Sequence, residues 1–158
     1  PDQRARQSAR RTLQLRRASQ RLVELECLRE IGLDGLQDVG EELLLLGGHV
    51  RELTGAAVGT WTTGALAHLR VDVAFMGTNG VTPELGLTTP DQAEAEVKRA
   101  MVKAANRVVC LADHTKVGLT QLCRFAGLDE VDVIVTDRGL EAGLAEELTT
   151  AGPEVIRA

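Results

Sequence analysis

Aromatic residues are nearly absent from this 158-residue chain, which has one Trp, two Phe and no Tyr, at Trp61, Phe75 and Phe125. Single-stranded nucleic acids are held largely by bases stacked on aromatic rings, so three scattered rings exclude such a platform. Long hydrophobic runs are absent too. No stretch approaches the roughly 18 apolar residues that would cross a membrane, and no apolar signal core follows Pro1. A cytoplasmic protein with no membrane partner is expected. Cysteine is sparse and odd in number, at Cys27, Cys110 and Cys123, without metal-ligand spacing. Reduced thiols and no metal are the reading, and Cys110 falls inside an apolar strand pattern. Catalytic signatures are missing as well: no Gly-x-Ser-x-Gly elbow, no P-loop, no nucleophile–base constellation. Binding without catalytic residues or cofactor is therefore favoured over turnover.

What the chain does have is an uneven charge distribution. Residues 1–21 carry seven arginines against one aspartate, whereas the remainder carries 11 basic and 22 acidic groups. An acidic body does not attract nucleic acid in bulk. Residues 1–38 read as an Arg-rich helical segment and connector. Leu15, Ala18, Leu22 and Leu25 form a stripe at helical spacing up to about residue 30, and three glycines follow between Ile31 and Gly40.

Residues 39–158 have a different texture. Leu43–Leu46, closed by Gly47-Gly48, reads as a short buried strand. Thr60–Leu69 reads as a helix with Trp61, Ala65, Leu66 and Leu69 on its apolar side. Strands are expected at Val71–Gly77, Arg107–Ala112 and Val131–Val135, with a final edge strand at Glu154–Arg157. Helices are expected at Pro90–Ala105, near Lys116–Phe125, and at Gly139–Thr150. The first of these helices has Thr89 as N-cap and Pro90 at its first position, and a buried face of Ala93, Val97, Ala100, Met101 and Ala104. Alternating strands and helices predict an α/β fold: a Rossmann-like, mostly parallel sheet with helices on both faces.

Ligands of such sheets bind where the carboxyl ends of the strands meet helix N-termini. Thr78-Asn79-Gly80 stands at one such end. It reads either as a hairpin turn or as a ligand-facing loop; Val81–Leu87, with Pro83 and Gly86 inside it, is a poor return strand. Thr88-Thr89 is a helix cap whose free amides could also meet an anion. Glu94 and Lys98, four apart, read as a surface pair or as pocket residues. Lys116 follows another strand end, as a solvated lysine or a phosphate contact. Asp113 and Asp137 read as caps of the helices that follow them, with His114 in the same loop as Asp113.

Several of these pieces, in order and spacing, resemble the C-terminal effector-sensing domain of DeoR-family bacterial transcriptional regulators. They are Leu45-Leu46-Gly47-Gly48, Val58-Gly59 with Ala65-Leu66, and Asp72–Gly77 followed by Asn79-Gly80. Gly86–Pro90 with Glu94-Ala95 and Val97–Met101 come next, then Leu111–Asp113 with Lys116 and Gly118, and finally Val131–Asp137. The likeness runs from about Glu41 to Ala158, some three quarters of the chain. It implies a fold related to ribose-5-phosphate isomerase and a sensor for a phosphorylated sugar, working as a homo-oligomer. Matching positions imply Asn79, Gly80, Thr88, Thr89, Glu94, Lys98 and Lys116 as ligand-binding residues. The isomerase relatives move protons with acidic groups; Asn79 cannot act as a general base near neutral pH, so sensing is favoured.

The chain departs from the family in residues 1–38, which match neither its DNA-binding helix-turn-helix nor its Asp-Ser-Gly-Thr-Thr-type phosphate loop. DNA is thus expected as a partner only through a helix-turn-helix domain missing from this sequence. An isomerase-like enzyme, and a truncated sensor that binds nothing, stand as the alternative readings.

Overall fold

The structure, a computed structural model, describes residues 44–158. The helix and connector expected before Glu41, and Cys27 within them, lie outside the described residues. In chain order the elements are β1 (His49–Val50), β2 (Ala57–Val58), α1 (Thr60–Leu66), β3 (Val71–Gly77), β4 (Gly80–Thr82), β5 (Gly86–Thr89), α2 (Gln92–Ala104) and β6 (Ala105–Leu111). A 3-10 turn (His114–Lys116), β7 (Cys123–Ala126), a second 3-10 turn (Leu128–Glu130), β8 (Val133–Thr136), α3 (Ala142–Thr150) and β9 (Glu154–Arg157) complete it.

The α/β class stands. Four strands form a parallel sheet in the order β3-β6-β8-β9, as right-twisted strands with helical crossovers do. A second sheet, β4-β5-β7, is antiparallel and grows out of the carboxyl end of β3. Helix α2 packs against β3, β5, β6 and β7, between the two sheets.

The register sorts the parallel sheet into two faces. Met76, Cys110, Ile134 and Val155 form one row across it, and Met76, Cys110 and Ile134 are fully buried. This row belongs to the main core, together with Ala95, Val97, Met101 and Val102 of α2 and Leu148 of α3. The neighbouring row, Gly77, Leu111, Val135 and Ile156, points the other way, as does Phe75. Here Phe75, Leu111 and Ile156 are 51%, 48% and 42% exposed. Parallel sheets are normally covered on both sides. The described helices cover one.

Several expectations are corrected. Leu44 and Leu45 are exposed and form no strand, because among the described residues no strand lies alongside to take their backbone bonds. Trp61 is 84% exposed; the seven-residue α1 buries a single stripe, Thr62 and Leu66, and Trp61 falls off it. Residues 81–87 are indeed no return strand to β3, with which β4 does not pair, but they fold on themselves as a hairpin with Thr82 opposite Gly86. Pro83 does not interrupt it, since Pro83, Glu84 and Leu85 are the turn itself and Thr82 Oγ1 accepts the Leu85 N–H at 3.2 Å. Gly86 has φ 75°, the left-handed conformation that favours glycine in three-residue hairpins. Phe125 belongs to a strand rather than a helix: β7 pairs with β5, which buries its ring.

Candidate functional site

The site assembles at the carboxyl end of β3, where the chain leaves the parallel sheet and begins the antiparallel one. Thr78 anchors this exit. Its hydroxyl lies 2.8 Å from the Gly80 carbonyl and 3.0 Å from that of Thr88, and can donate to one or the other. Asn79 is held on the exposed side by Thr89, whose Oγ1 donates to Asn79 Oδ1 at 3.0 Å. Thr89 also lies 3.5 Å from Glu94 Oε2. Asn79, Thr89 and Glu94 therefore form one chain of contacts from the loop to the first turn of α2.

The N-cap of α2 is not Thr89, which is a residue of β5 paired with Cys123. The cap is Asp91, whose carboxylate accepts the Glu94 N–H at 2.9 Å. A carboxylate thus already sits at the helix end whose amides could have met an anion.

Lys98 supplies a positive charge. Neither Glu94 nor Lys98 is a surface residue: each is only 4% exposed. Helical periodicity puts them on one face, and the antiparallel sheet covers that face. The Lys98 ammonium donates to the Gly77 carbonyl at 2.9 Å and lies 5.4 Å from the centre of the Phe125 ring. Buried charges need such partners. A cation is thus fixed beneath the Asn79 loop at a strand's carboxyl end.

Glu94 is engaged from the other side by residues outside the seven. Arg51 pairs with Glu94 Oε1 and, at 3.4 Å, with Asp91, while Thr54 Oγ1 donates to Glu94 Oε1 at 3.0 Å. Arg51 and Thr54 lie in the loop between β1 and β2. No local periodicity marks them, because their contacts lie 43 and 40 positions away in sequence.

Gly80 and Thr88 frame the site rather than face it. A Cβ on Gly80 would stand 2.4 Å from the Leu119 carbonyl oxygen and 2.9 Å from Thr88 Oγ1. Thr88 Oγ1 donates to the Gly80 carbonyl at 3.1 Å and accepts the Gln121 N–H at 3.0 Å. Both residues fasten the loop after β6 onto β4. Lys116 rides on that loop. Its neighbour Val117 bridges to Val81, and the Gly118 N–H donates to the Val81 carbonyl at 2.9 Å. No hydrogen bond among the described residues joins the Lys116 side chain to the other six candidates. Its charge instead helps hold the Asp113 carboxyl below the ordinary aspartate value, after the larger effect of the Thr115 hydroxyl.

Asp113 caps its 3-10 turn as expected, accepting the Thr115 N–H at 2.9 Å. Asp137 does not cap α3, which begins at Ala142 after Glu141. It accepts instead from the backbone of His114 and of Gly139. A separate groove of about 800 Å³ runs between Pro83-Glu84 and α3. None of the seven candidates lines it, and Glu84, Glu146 and Glu147 make it unsuited to an anion.

Among the described residues no helix is long and apolar enough to cross a membrane, and no His/Cys/Asp/Glu group could hold a metal ion. Cys110 is buried and Cys123 half-buried.

Comparison with known proteins adds a second line. Residues 35–138 match the model of the DeoR C terminal sensor domain. The chain is 39% identical over 121 residues to the HTH-type transcriptional regulator GlpR of Haloferax volcanii, covering 77% of this chain and 48% of that protein. It is 43% identical over 105 residues to the uncharacterized HTH-type transcriptional regulator FruR of Bacillus subtilis, covering 66% and 39%. The glycerol-3-phosphate regulon repressor of Escherichia coli is 26% identical over 107 residues, covering 68% and 42%. The chain thus spans less than half the length of these curated relatives.

Proposed function

Because this chain belongs to the DeoR family, as its match to the sensor domain over residues 35–138 establishes, we propose that it is the effector-sensing part of a transcriptional repressor, taking a phosphorylated sugar or related metabolite. The effector controls DNA binding by a helix-turn-helix region outside the described residues. The observation that carries the reading is Lys98: a cation only 4% exposed, bonded to the Gly77 carbonyl at the carboxyl end of β3. That is where open α/β sheets receive ligands. A phosphate approaching past Asn79 meets this charge, while Asn79, Thr89 and Glu94 offer donors and acceptors to sugar hydroxyls. One relative is named for a glycerol-3-phosphate regulon, in keeping with a phosphorylated ligand.

The chemistry of the site favours binding over turnover. Asn79 cannot take a proton near neutral pH. The Glu94 carboxylate has Arg51, Thr54 and Thr89 around it, which suits a group that orients neighbours better than one that must shuttle a proton.

The test is a thermal-shift screen against phosphorylated sugars, with inorganic phosphate as control. A ligand at 100 times its dissociation constant stabilises a fold by about 2.7 kcal/mol. A selective rise is expected, lost in Lys98→Met, which keeps the length of the side chain without its charge. A cooperative melt that no phosphorylated sugar shifts overturns the proposal.

A further inference from the structure

We propose that the contact between His114 and Asp137 is a clamp that positions Lys116, so that His114 is a positioning residue for the ligand although it does not touch it. The inference rests on the sugar-phosphate reading above.

The loop after β6 is fastened at two ends. Its far end is tied to the antiparallel sheet, by Gly118 on Val81 and by Gln121 on Thr88. Its near end is tied to the parallel sheet first by the Ala112 N–H, which donates to the Val135 carbonyl at 3.1 Å, and past Ala112 through one carboxylate. Asp137, just beyond β8, accepts the His114 N–H at 2.8 Å through Oδ2 and faces His114 Nδ1 at 2.8 Å through Oδ1. A carboxylate can only accept, so Nδ1 carries the hydrogen. The Gly139 N–H donates to the same Oδ1 at 2.7 Å.

Gly139 makes room for this arrangement. A Cβ there would stand 2.5 Å from His114 Nδ1 and 2.7 Å from Asp137 Oδ1. Lys116 lies between the two fastenings, and its own N–H donates to the Asp113 carbonyl at 3.0 Å. With the Asp137 contact released, the 3-10 turn keeps its Asp113 cap but loses its only side-chain tie to the parallel sheet between Ala112 and Val117 among the described residues. A long, flexible lysine side chain then loses the fixed base that a defined contact with an anion requires.

A merely structural pair would affect stability without regard to Lys116. A clamp acts through it, and a double-mutant cycle separates the two. In the full 158-residue chain, binding of glycerol 3-phosphate and of glucose 6-phosphate is measured by calorimetry for the parent, His114→Ala, His114→Asn, Lys116→Ala and His114→Ala/Lys116→Ala. The expected result is a roughly tenfold loss in His114→Ala, within the range for residues sharing one network. His114→Asn, whose amide nitrogen stands in for Nδ1, recovers most of it. The double variant binds no worse than Lys116→Ala alone.

Losses that add in the double variant, or an unchanged affinity in His114→Ala, overturn the clamp while leaving the sensor reading intact. If the parent binds neither probe, amide exchange at Lys116 and Val117, whose N–H groups close the turn on Asp113 and His114, still decides the clamp, with Gly118 on Val81 as the unaffected control. Faster exchange in His114→Ala, restored in His114→Asn, supports it, and equal exchange in all three chains overturns it.

Discussion

The guanidinium of Arg51 closes on the carboxylate of Glu94, 43 positions further along the chain, and so ties the β1–β2 loop to the first turn of α2. Glu94 is 4% exposed and Arg51 28%. Removing one partner of a buried pair costs far more than the pair itself contributes, because a charge stays behind without its counterpart.

Arg51→Ala is therefore expected to destabilise the fold by about 2–4 kcal/mol, below the full cost of a buried pair since Arg51 still meets water. Adding Glu94→Gln should recover part of that loss, because the remaining group is then neutral. Urea unfolding of the two single variants and the double variant checks this. Strictly additive losses would mean that the two side chains do not depend on each other.

The two faces of the parallel sheet make a prediction within one strand. Met76 is fully buried in the core, while the adjacent Phe75 is 51% exposed on the opposite face. Met76→Ala should cost roughly 2–5 kcal/mol, whereas Phe75→Ala should cost less than about 1 kcal/mol, as surface substitutions do. A loss at Phe75 comparable to that at Met76 would mean that the face is covered by chain beyond the described residues.

How far the sequence could lead is clearest at α2 and its flanks. Strand β3 was legible to the residue, because Val71–Gly77 is an apolar run broken only by Asp72 and ended by glycine. Cys110 was legible as a buried thiol for the same reason. That Glu94 and Lys98 share one helix face was legible too, but the burial of that face was not. Periodicity says which residues share a face, and only the tertiary arrangement says that a second sheet lies over it. The β4–β5 hairpin was hidden because Pro83 and Gly86 look like strand breakers until they are seen in and beside a tight turn. The cap of α2 shifted two residues because both Thr89 and Asp91 are good cap residues, and β5 claims Thr89 for its pairing with Cys123. Arg51 could not be found locally at all, since nothing near it in sequence encodes its partners.

Gly80 tests the packing of the loop after β6 against β4. A methyl group there would meet the Leu119 carbonyl oxygen at 2.4 Å, so either the loop or the strand must shift. Gly80→Ala is expected to cost about 1–3 kcal/mol, the usual range for overpacking. The effect should concentrate in the loop, with faster amide exchange at Gly118 and Gln121, whose N–H groups depend on Val81 and Thr88. A variant with parent-like stability and exchange would show that the loop does not lean on this strand.

The carboxylates that order the loop set its response to acid. Hydrogen bonds from the backbone of His114, then from that of Gly139, hold the Asp137 carboxyl below the ordinary aspartate value of 3.8. A carboxyl depressed on folding adds stability that is complete above the unfolded value and is lost as pH falls through the folded one, because the unfolded chain takes up its proton first. The clamp should therefore be intact throughout the neutral range and fail only in acid. The amide protons of His114 and Gly139, both donated to Asp137, should move together in an NMR titration, with one midpoint below 3.8. The Thr115 amide should follow Asp113, which its own hydroxyl and N–H hold down in the same direction. If the His114 and Gly139 amides titrate separately, or share a midpoint at or above 3.8, Asp137 is not the common acceptor.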